Sequence, residues 1–238
     1  MMTKKLFLVL VLAALVAGGA FAQFTLSGGG GIYMLSSFGG GSEFKYPADS
    51  LGIVHPAFTA SSNMSITGIG AFGFFDATYI EASVGFLYGI TGSIKNSSSP
   101  TVTAYDDFFL DSKVSMMGIN IGFLGKFPIR VAPNVLVFPA AGIDYQVFLS
   151  AKSTIGNIKS DITPASDLNA LWIRAGAGLD FYISRSMFIR ATALYGIRFA
   201  SGVDKELVKE HIDDYGNNTA KAKRGNSIVI RAAIGFSF

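Results

Sequence analysis

The chain has 238 residues, half of them hydrophobic, with 28 glycines, 21 phenylalanines and no cysteine. The absence of cysteine excludes disulfides, thiolate metal sites and lipid attachment at a cysteine. A formal charge of +3 gives no strongly basic face for nucleic acid, and beyond the N-terminal leader no apolar run approaches the ~20 residues of a membrane-spanning helix.

The leader comes first in chain order. Lys4 and Lys5 form a basic n-region, Leu6 to Val16 an apolar h-region, and Ala20-Phe21-Ala22 an A-x-A cleavage site, which together predict a secretory signal peptide over residues 1–22. Removing it takes two lysines and leaves a net charge of +1, so no nucleic-acid partner is expected. Residues 23–238 are predicted to be one domain.

Eight stretches of period-two alternation follow, at 24–35, 63–74, 78–90, 112–127, 135–149, 168–182, 187–199 and 227–238. Successive side chains of a strand point to opposite faces, so each stretch predicts a strand with one apolar face. In the third, Ile80, Ala82, Val84, Phe86 and Tyr88 face out against Glu81, Ser83 and Gly85. The fifth sets Ala141, Ile143, Tyr145 and Val147 against Gly142, Asp144 and Gln146. Leu171, Ile173, Ala175, Leu179 and Phe181 oppose Arg174 and Asp180 in the sixth, and Ile189, Ala191, Tyr195 and Ile197 oppose Arg190 and Arg198 in the seventh. Pro139 lacks a ladder donor, which predicts a bulge there.

Short connections at 76–77, 128–134 and 183–186 interleave with long ones at 36–62, 91–111, 150–167 and 200–226. An even strand number with short turns at one rim and long loops at the other predicts an all-β fold, an eight-stranded antiparallel up-and-down transmembrane barrel with short periplasmic turns. Its aromatic girdle is expected from Phe24, Phe74, Phe75, Tyr79, Phe127, Phe181, Tyr182, Phe188 and Phe238 at the short-turn rim, and from Tyr88, Phe148 and Phe199 at the other.

The inward charges are Glu81, Asp144 and Asp180 against Arg174, Arg190, Arg198 and Arg231. Eight strands leave an interior just wide enough for side chains to fill, so these predict a salt-bridged plug with a structural role. A turn centred near Arg185 places Asp180 opposite Arg190, where fork geometry is available. "GIGAFG" at Gly68 to Gly73 matches the dinucleotide fingerprint formally but lies inside a strand pattern with no helix after it. "GGGG" at Gly28 to Gly31 predicts a strand that approaches its neighbours closely. His55 and His211, with Ser50, Ser61, Glu210 and Asp213, are the residues a catalytic reading would need, and no spacing singles them out. No catalytic, metal or cofactor site is predicted. Lys221, Lys223 and Arg224 form a basic cluster in the last loop.

The terminal "IRAAIGFSF", the leader and the eight amphipathic strands together resemble the small eight-stranded outer-membrane barrels, the group of the OmpA membrane domain, OmpX and OmpW. The resemblance implies location in the outer membrane of a diderm bacterium, with lipid as the surrounding partner. It also implies that Ala232, Ile234, Phe236 and Phe238 form an assembly signal read by the barrel-assembly machinery, after escort by periplasmic chaperones. The expected protein is a monomer and not an enzyme, with a structural and surface-interaction role through four long outer loops that meet a host or envelope ligand. The alternative implied by the OmpW-like members is a narrow pore or lateral conduit for small apolar molecules. Inward Phe138, Phe148, Trp172, Met116 and Leu124 are the residues that would line it.

Overall fold

Each of the eight alternating segments forms the body of one long strand. The computed structural model describes residues 25–46, 57–99, 112–155, 158–163, 165–199 and 220–238; the leader, both histidines and much of the four long connections lie outside the described residues. In chain order the strands are β1 (Leu26–Tyr46), β2 (Phe58–Ala77), β3 (Ile80–Ser99), β4 (Ser112–Lys126), β5 (Ile129–Ala132), β6 (Val135–Ile155), β7 (Ile158–Asp161), β8 (Ala170–Tyr182), β9 (Met187–Arg198), β10 (Ala220–Lys223) and β11 (Asn226–Ser237).

The ring runs β1-β2-β3-β4-β6-β8-β9-β11, all antiparallel, and closes when β11 pairs β1 from Ser27–Ser237 to Phe38–Asn226. The short strands are accessory: β5 and β7 fold back on β6, and β10 lies along the outer part of β1. Cross-strand partners followed once round the ring, from Asp180 through Arg190, Ala233, Gly31, Phe72, Gly85, Asn120 and Gln146, lead back to β8 at Ala170, ten positions further up. That shear over eight strands corresponds to a tilt of roughly 40°.

The barrel is inside out relative to a water-soluble one. Ile32, Ile69, Ile80, Val84, Phe123, Ile143, Ile173, Ile189 and Ile234 stand exposed on the outer wall, while Asp76, Glu81, Asp144, Asp180, Arg174, Arg190 and Arg231 are buried within it. A closed barrel with an apolar belt and no open edge is built to span a bilayer, because every backbone group in the belt has a partner.

The belt has a sharp upper limit. Register shifts occur in β1 between Ser37 and Gly40, in β3 between Leu87 and Ile90, and between β4 and β6 at Met117/Gly118. Above them the outer face of β2 changes from Ile69 to Thr67, Ser65 and Asn63, and that of β3 from Tyr88 to Thr91, Ser93 and Lys95. Bulges at a barrel rim change the local twist where the environment changes.

Several sequence expectations are corrected. Residues 36–46, 58–62 and 91–99 are not loop but continue β1, β2 and β3, and 150–155 with 158–161 form the β6–β7 hairpin. Above the belt the outer face turns to small polar residues while Phe58, Ala60, Ile66 and Ile90 stay buried inside, so the apolar-out alternation that marks a membrane strand is lost while the backbone ladder continues. The first tight turn is at Thr78 and Tyr79 rather than 76–77. Thr78 adopts a left-handed φ of 54°, which tight hairpins require, and its Oγ1 accepts from Thr25 N–H at 2.8 Å and donates to Thr25 C=O at 3.1 Å.

No bulge forms at Pro139, which keeps unbroken register with Ala177. Its carbonyl accepts from Phe127 N–H at 3.1 Å. The donor it lacks is therefore directed at the end of β4, not into the middle of a ladder. Phe74, Phe148 and Phe188 are not girdle residues but buried inside, whereas Phe75, Phe127, Phe181, Phe238, Tyr88 and Phe199 face out.

Gly31 in β1 is where the seam comes closest, since a Cβ there would lie 1.9 Å from the Ala232 carbonyl oxygen. Gly73, whose Cβ would come no nearer than 3.7 Å to backbone, is open. Gly31→Val is expected to lose most of the heat-modifiable folded form on refolding into detergent or bilayer, and Gly73→Val to keep it. Equal refolding of the two would show that the seam does not limit closure.

Candidate functional site: a charged lattice in the barrel lumen

The lumen side chains come from every second residue of the ring strands, because the pleat turns successive side chains to opposite faces. At the short-turn end, Lys126 of β4 pairs with Asp76 of β2. Arg190 of β9 is the hub. Its Nη2 donates to Asp76 Oδ2 at 2.7 Å, its Nη1 to Glu81 Oε2 at 2.7 Å, and its Nε and Nη2 grip Asp180 Oδ1 and Oδ2, each at 2.7 Å. Arg231 of β11 continues the chain to Glu81 at 3.3 Å and Asp144 at 3.4 Å. Arg174 of β8 ends it, bonded to Asp144 and, through Nη1, to Ser227 Oγ at 2.7 Å.

Four cations face four carboxylates among these residues, and all eight side chains are at most 4 % exposed. A charge in such surroundings is tolerated only when paired and hydrogen-bonded, and here the balance is complete. The cations also lie over aromatic faces: Arg190 sits 4.6 Å from the Phe74 ring centre, 5.1 Å from Phe188 and 5.3 Å from Phe138, and Lys126 4.7 Å from Phe138. Arg174 lies 5.1 Å from Trp172 and Arg231 5.4 Å from Phe72. The ring faces hold the guanidinium planes by cation–π attraction where water is excluded.

Six of the seven charges singled out in the sequence meet in this lattice: Glu81, Asp144, Arg174, Asp180, Arg190 and Arg231. Arg198 also points inward, but it is half-buried at the outer rim beside Gly40 and Gly225. Asp76 and Lys126 are lattice members that the sequence reading missed. Asp76 lies one pleat beyond the predicted second segment and Lys126 within the predicted fourth, and both share the inward parity of Phe74 and Leu124, which is the signal that marks them. Ala232, Ile234, Phe236 and Phe238 share the outer face of the last strand, and Phe238 N–H donates to Leu26 C=O at 2.9 Å.

Above the lattice the lumen turns apolar. Leu35, Ile66, Leu87, Ile90, Val114, Met116 and Phe148 pack together, and Trp172 donates to Gln146 Oε1 at 2.7 Å beneath them. Phe138 and Leu124 are buried lower down, against the charges. The mouth, lined by Leu35, Met64, Phe148, Leu168, Trp172 and Arg198, holds a cavity of about 30 Å³, room for no more than a few waters. Gly68 to Gly73 lie within β2, and Ser61 lies on its outer side above the belt. Ser50, His55, Glu210, His211 and Asp213 fall outside the described residues, and among the described ones no cluster of three metal-ligating side chains occurs.

No protein-family model matches this chain, and no curated protein matches it. Solved structures similar to it include the outer membrane protein OprG from Pseudomonas aeruginosa, at 8% identity over 90% of this chain and 96% of that one with a TM-score of 0.46. Also similar are Neisserial surface protein A, at 13% identity over 87% and 97% with a TM-score of 0.34, and the outer membrane protease OmpT from Escherichia coli, at 7% over 92% and 99% with a TM-score of 0.42.

Truncating the hub tests the lattice. Arg190→Ala leaves Asp180 without its cation and weakens the settings of Asp76 and Glu81, so it is expected to cost about 3–5 kcal/mol of stability, read as a lower urea midpoint in bilayer refolding. Arg190→Ala combined with Asp180→Ala is expected to cost less than the two changes summed, because the second removes the carboxylate stranded by the first.

Proposed function

We propose that the protein is an integral outer-membrane barrel of a diderm bacterium, plugged and non-enzymatic. Its role is to hold a bilayer-spanning scaffold and present its four long outer connections to a host or envelope ligand. One observation carries the reading: an apolar outer wall encloses a lumen filled by a charge-balanced lattice and, above it, a packed apolar layer. Among the described residues such an interior leaves little room for a continuous water path for ions or for a cleft in which a substrate could meet a poised acid and base, which supports this reading. The outward row Ala232, Ile234, Phe236 and Phe238 is the face that an assembly machinery would read in the last strand, before β1 and β11 pair. Within this reading the protein works as a monomer, since the ring closes on itself without a second chain.

A second reading, the narrow conduit for small apolar molecules, draws support from the apolar upper lumen and the small cavity at its mouth. It requires Leu35, Ile66 and Phe148 to move apart and the lattice beneath them to open.

Single-channel recording of the refolded protein in a planar bilayer separates the two. The plugged barrel is expected to be silent, and Arg174→Ala with Arg231→Ala to introduce cation-selective leak, because the lattice then keeps four carboxylates against two cations. Discrete openings in the unmodified protein that an apolar solute blocks would replace the plug with the conduit.

A further inference from the structure

We infer that the outer rim on the β3, β4 and β6 side binds the phosphate groups of an outer-leaflet glycolipid, with Lys95, Lys113 and Lys152 as its cationic row. The inference rests on the outer-membrane reading above.

The exterior of three neighbouring strands changes chemistry in the same order on leaving the belt. On β3, exposed Tyr88 is followed by Thr91 and Ser93 and then Lys95. Along β4 the order outward is Met117, Ser115, Lys113, and along β6 it is Leu149, Ser150, Lys152. The layers are hydrocarbon-facing, then hydroxyl, then ammonium. An acylated, phosphorylated sugar lipid presents its matching groups in that sequence: acyl chains in the belt, sugar and ester oxygens at the hydroxyls, phosphate at the cations.

The register brings the three ammonium groups together. Lys113 stands opposite Ser93 of β3 and Thr154 of β6, so Lys95 and Lys152 are each one diagonal step from it, a backbone separation of roughly 7–8 Å. A shear of ten over eight strands makes the level line drop by about one residue per strand. A row that drops two therefore runs nearly round the circumference and keeps its lysines at one depth. Lys159 of β7, opposite Thr154, adds a further exposed ammonium beside it.

Like charges at neighbouring register positions repel, and little among the described residues relieves this row. Lys152 lies 3.9 Å from Asp161 in an exposed pair; among the described residues, neither Lys95 nor Lys113 has a carboxylate within ion-pair distance. The rest of the rim differs. Lys223 is matched by Glu43 at 3.8 Å, and the outer ends of β8, β9 and β11 present Leu171, Ile197 and Ile228 to the outside. Lys45 of β1 and Arg224 are exposed cations on the far side, but among the described residues it is on β3, β4 and β6 that three neighbouring strands each bring a lysine to one row, where a polyanionic headgroup would offset the repulsion.

The test is native mass spectrometry of the refolded protein released from micelles doped with bis-phosphorylated lipid A, compared with the same lipid stripped of phosphate. Heat-modifiability is measured in parallel to confirm folding. The wild type is expected to retain the phosphorylated lipid and not the stripped one. Lys95→Gln, Lys113→Gln and Lys152→Gln combined are expected to weaken retention about a hundredfold, near fivefold per lysine, while the triple Arg variant keeps it. Equal retention of both lipids by the wild type, or full retention by the Gln variant, overturns the site. A protein that folds in micelles but stays outside bilayers, with its belt open to protease, would overturn the membrane reading instead.

Discussion

The pairing of β11 with β1 is the constraint on which everything else depends. Inside hydrocarbon an unpaired backbone amide costs several kcal/mol, and a sheet of seven junctions would leave two whole edges unpaired. The register from Ser27–Ser237 to Phe38–Asn226 removes both. It also sets the shear, and the shear sets the tilt and radius, hence how much side-chain volume the lumen must take. The close approach at Gly31 follows from this closure, since there a side chain would collide with the carbonyl of Ala232.

Given that radius, the interior is filled by pairing large side chains with glycines on neighbouring strands. The Phe138 ring occupies the space where a Cβ of Gly178 would be, Phe188 does the same at Gly235, and Tyr33 lies across Gly70 and Gly85. The charges fit between these rings. An ion-pair lattice is weak evidence for stability compared with a well-packed apolar core. What it does supply is register: Asp180 meets Arg190 across the tight β8–β9 turn, and Arg190 then reaches β2 and β3 on the other side of the lumen. A one-residue slip of any of these strands would turn its charge out toward lipid, so the lattice penalises every wrong closure.

The aromatic residues show how far alternation can be read and where it stops. Phe74, Phe148 and Phe188 sit near the belt edges in sequence and were expected in the girdle, yet each shares the parity of the lumen face, and Phe74 and Phe188 stack on Arg190. Position along a strand suggested one environment and parity dictated the other. The upper strands were misread for a different reason. Thr59, Ser61, Asn63 and Ser65 face outward while Phe58, Ala60, Met64 and Ile66 face the lumen, so the alternation has the opposite sense to that of the belt, and the hydrogen-bonded ladder to β3 continues through it.

By itself the sequence determined the number of ring strands, their faces, the side of the barrel bearing the short turns, and the opposition of Asp180 and Arg190. All of these follow from a two-residue period and from turn length, which are local. Only the tertiary structure decided that Asp76 and Lys126 join the lattice, that Arg190 is its hub, that β1, β2, β3 and β6 rise beyond the belt, and that three lysines align on one side of the rim. Those features depend on the shear, which relates residues more than a hundred positions apart, such as Glu81 and Arg190, through the registers of every strand between them. Closing the ring fixes those registers together, and no single segment of the chain carries that information.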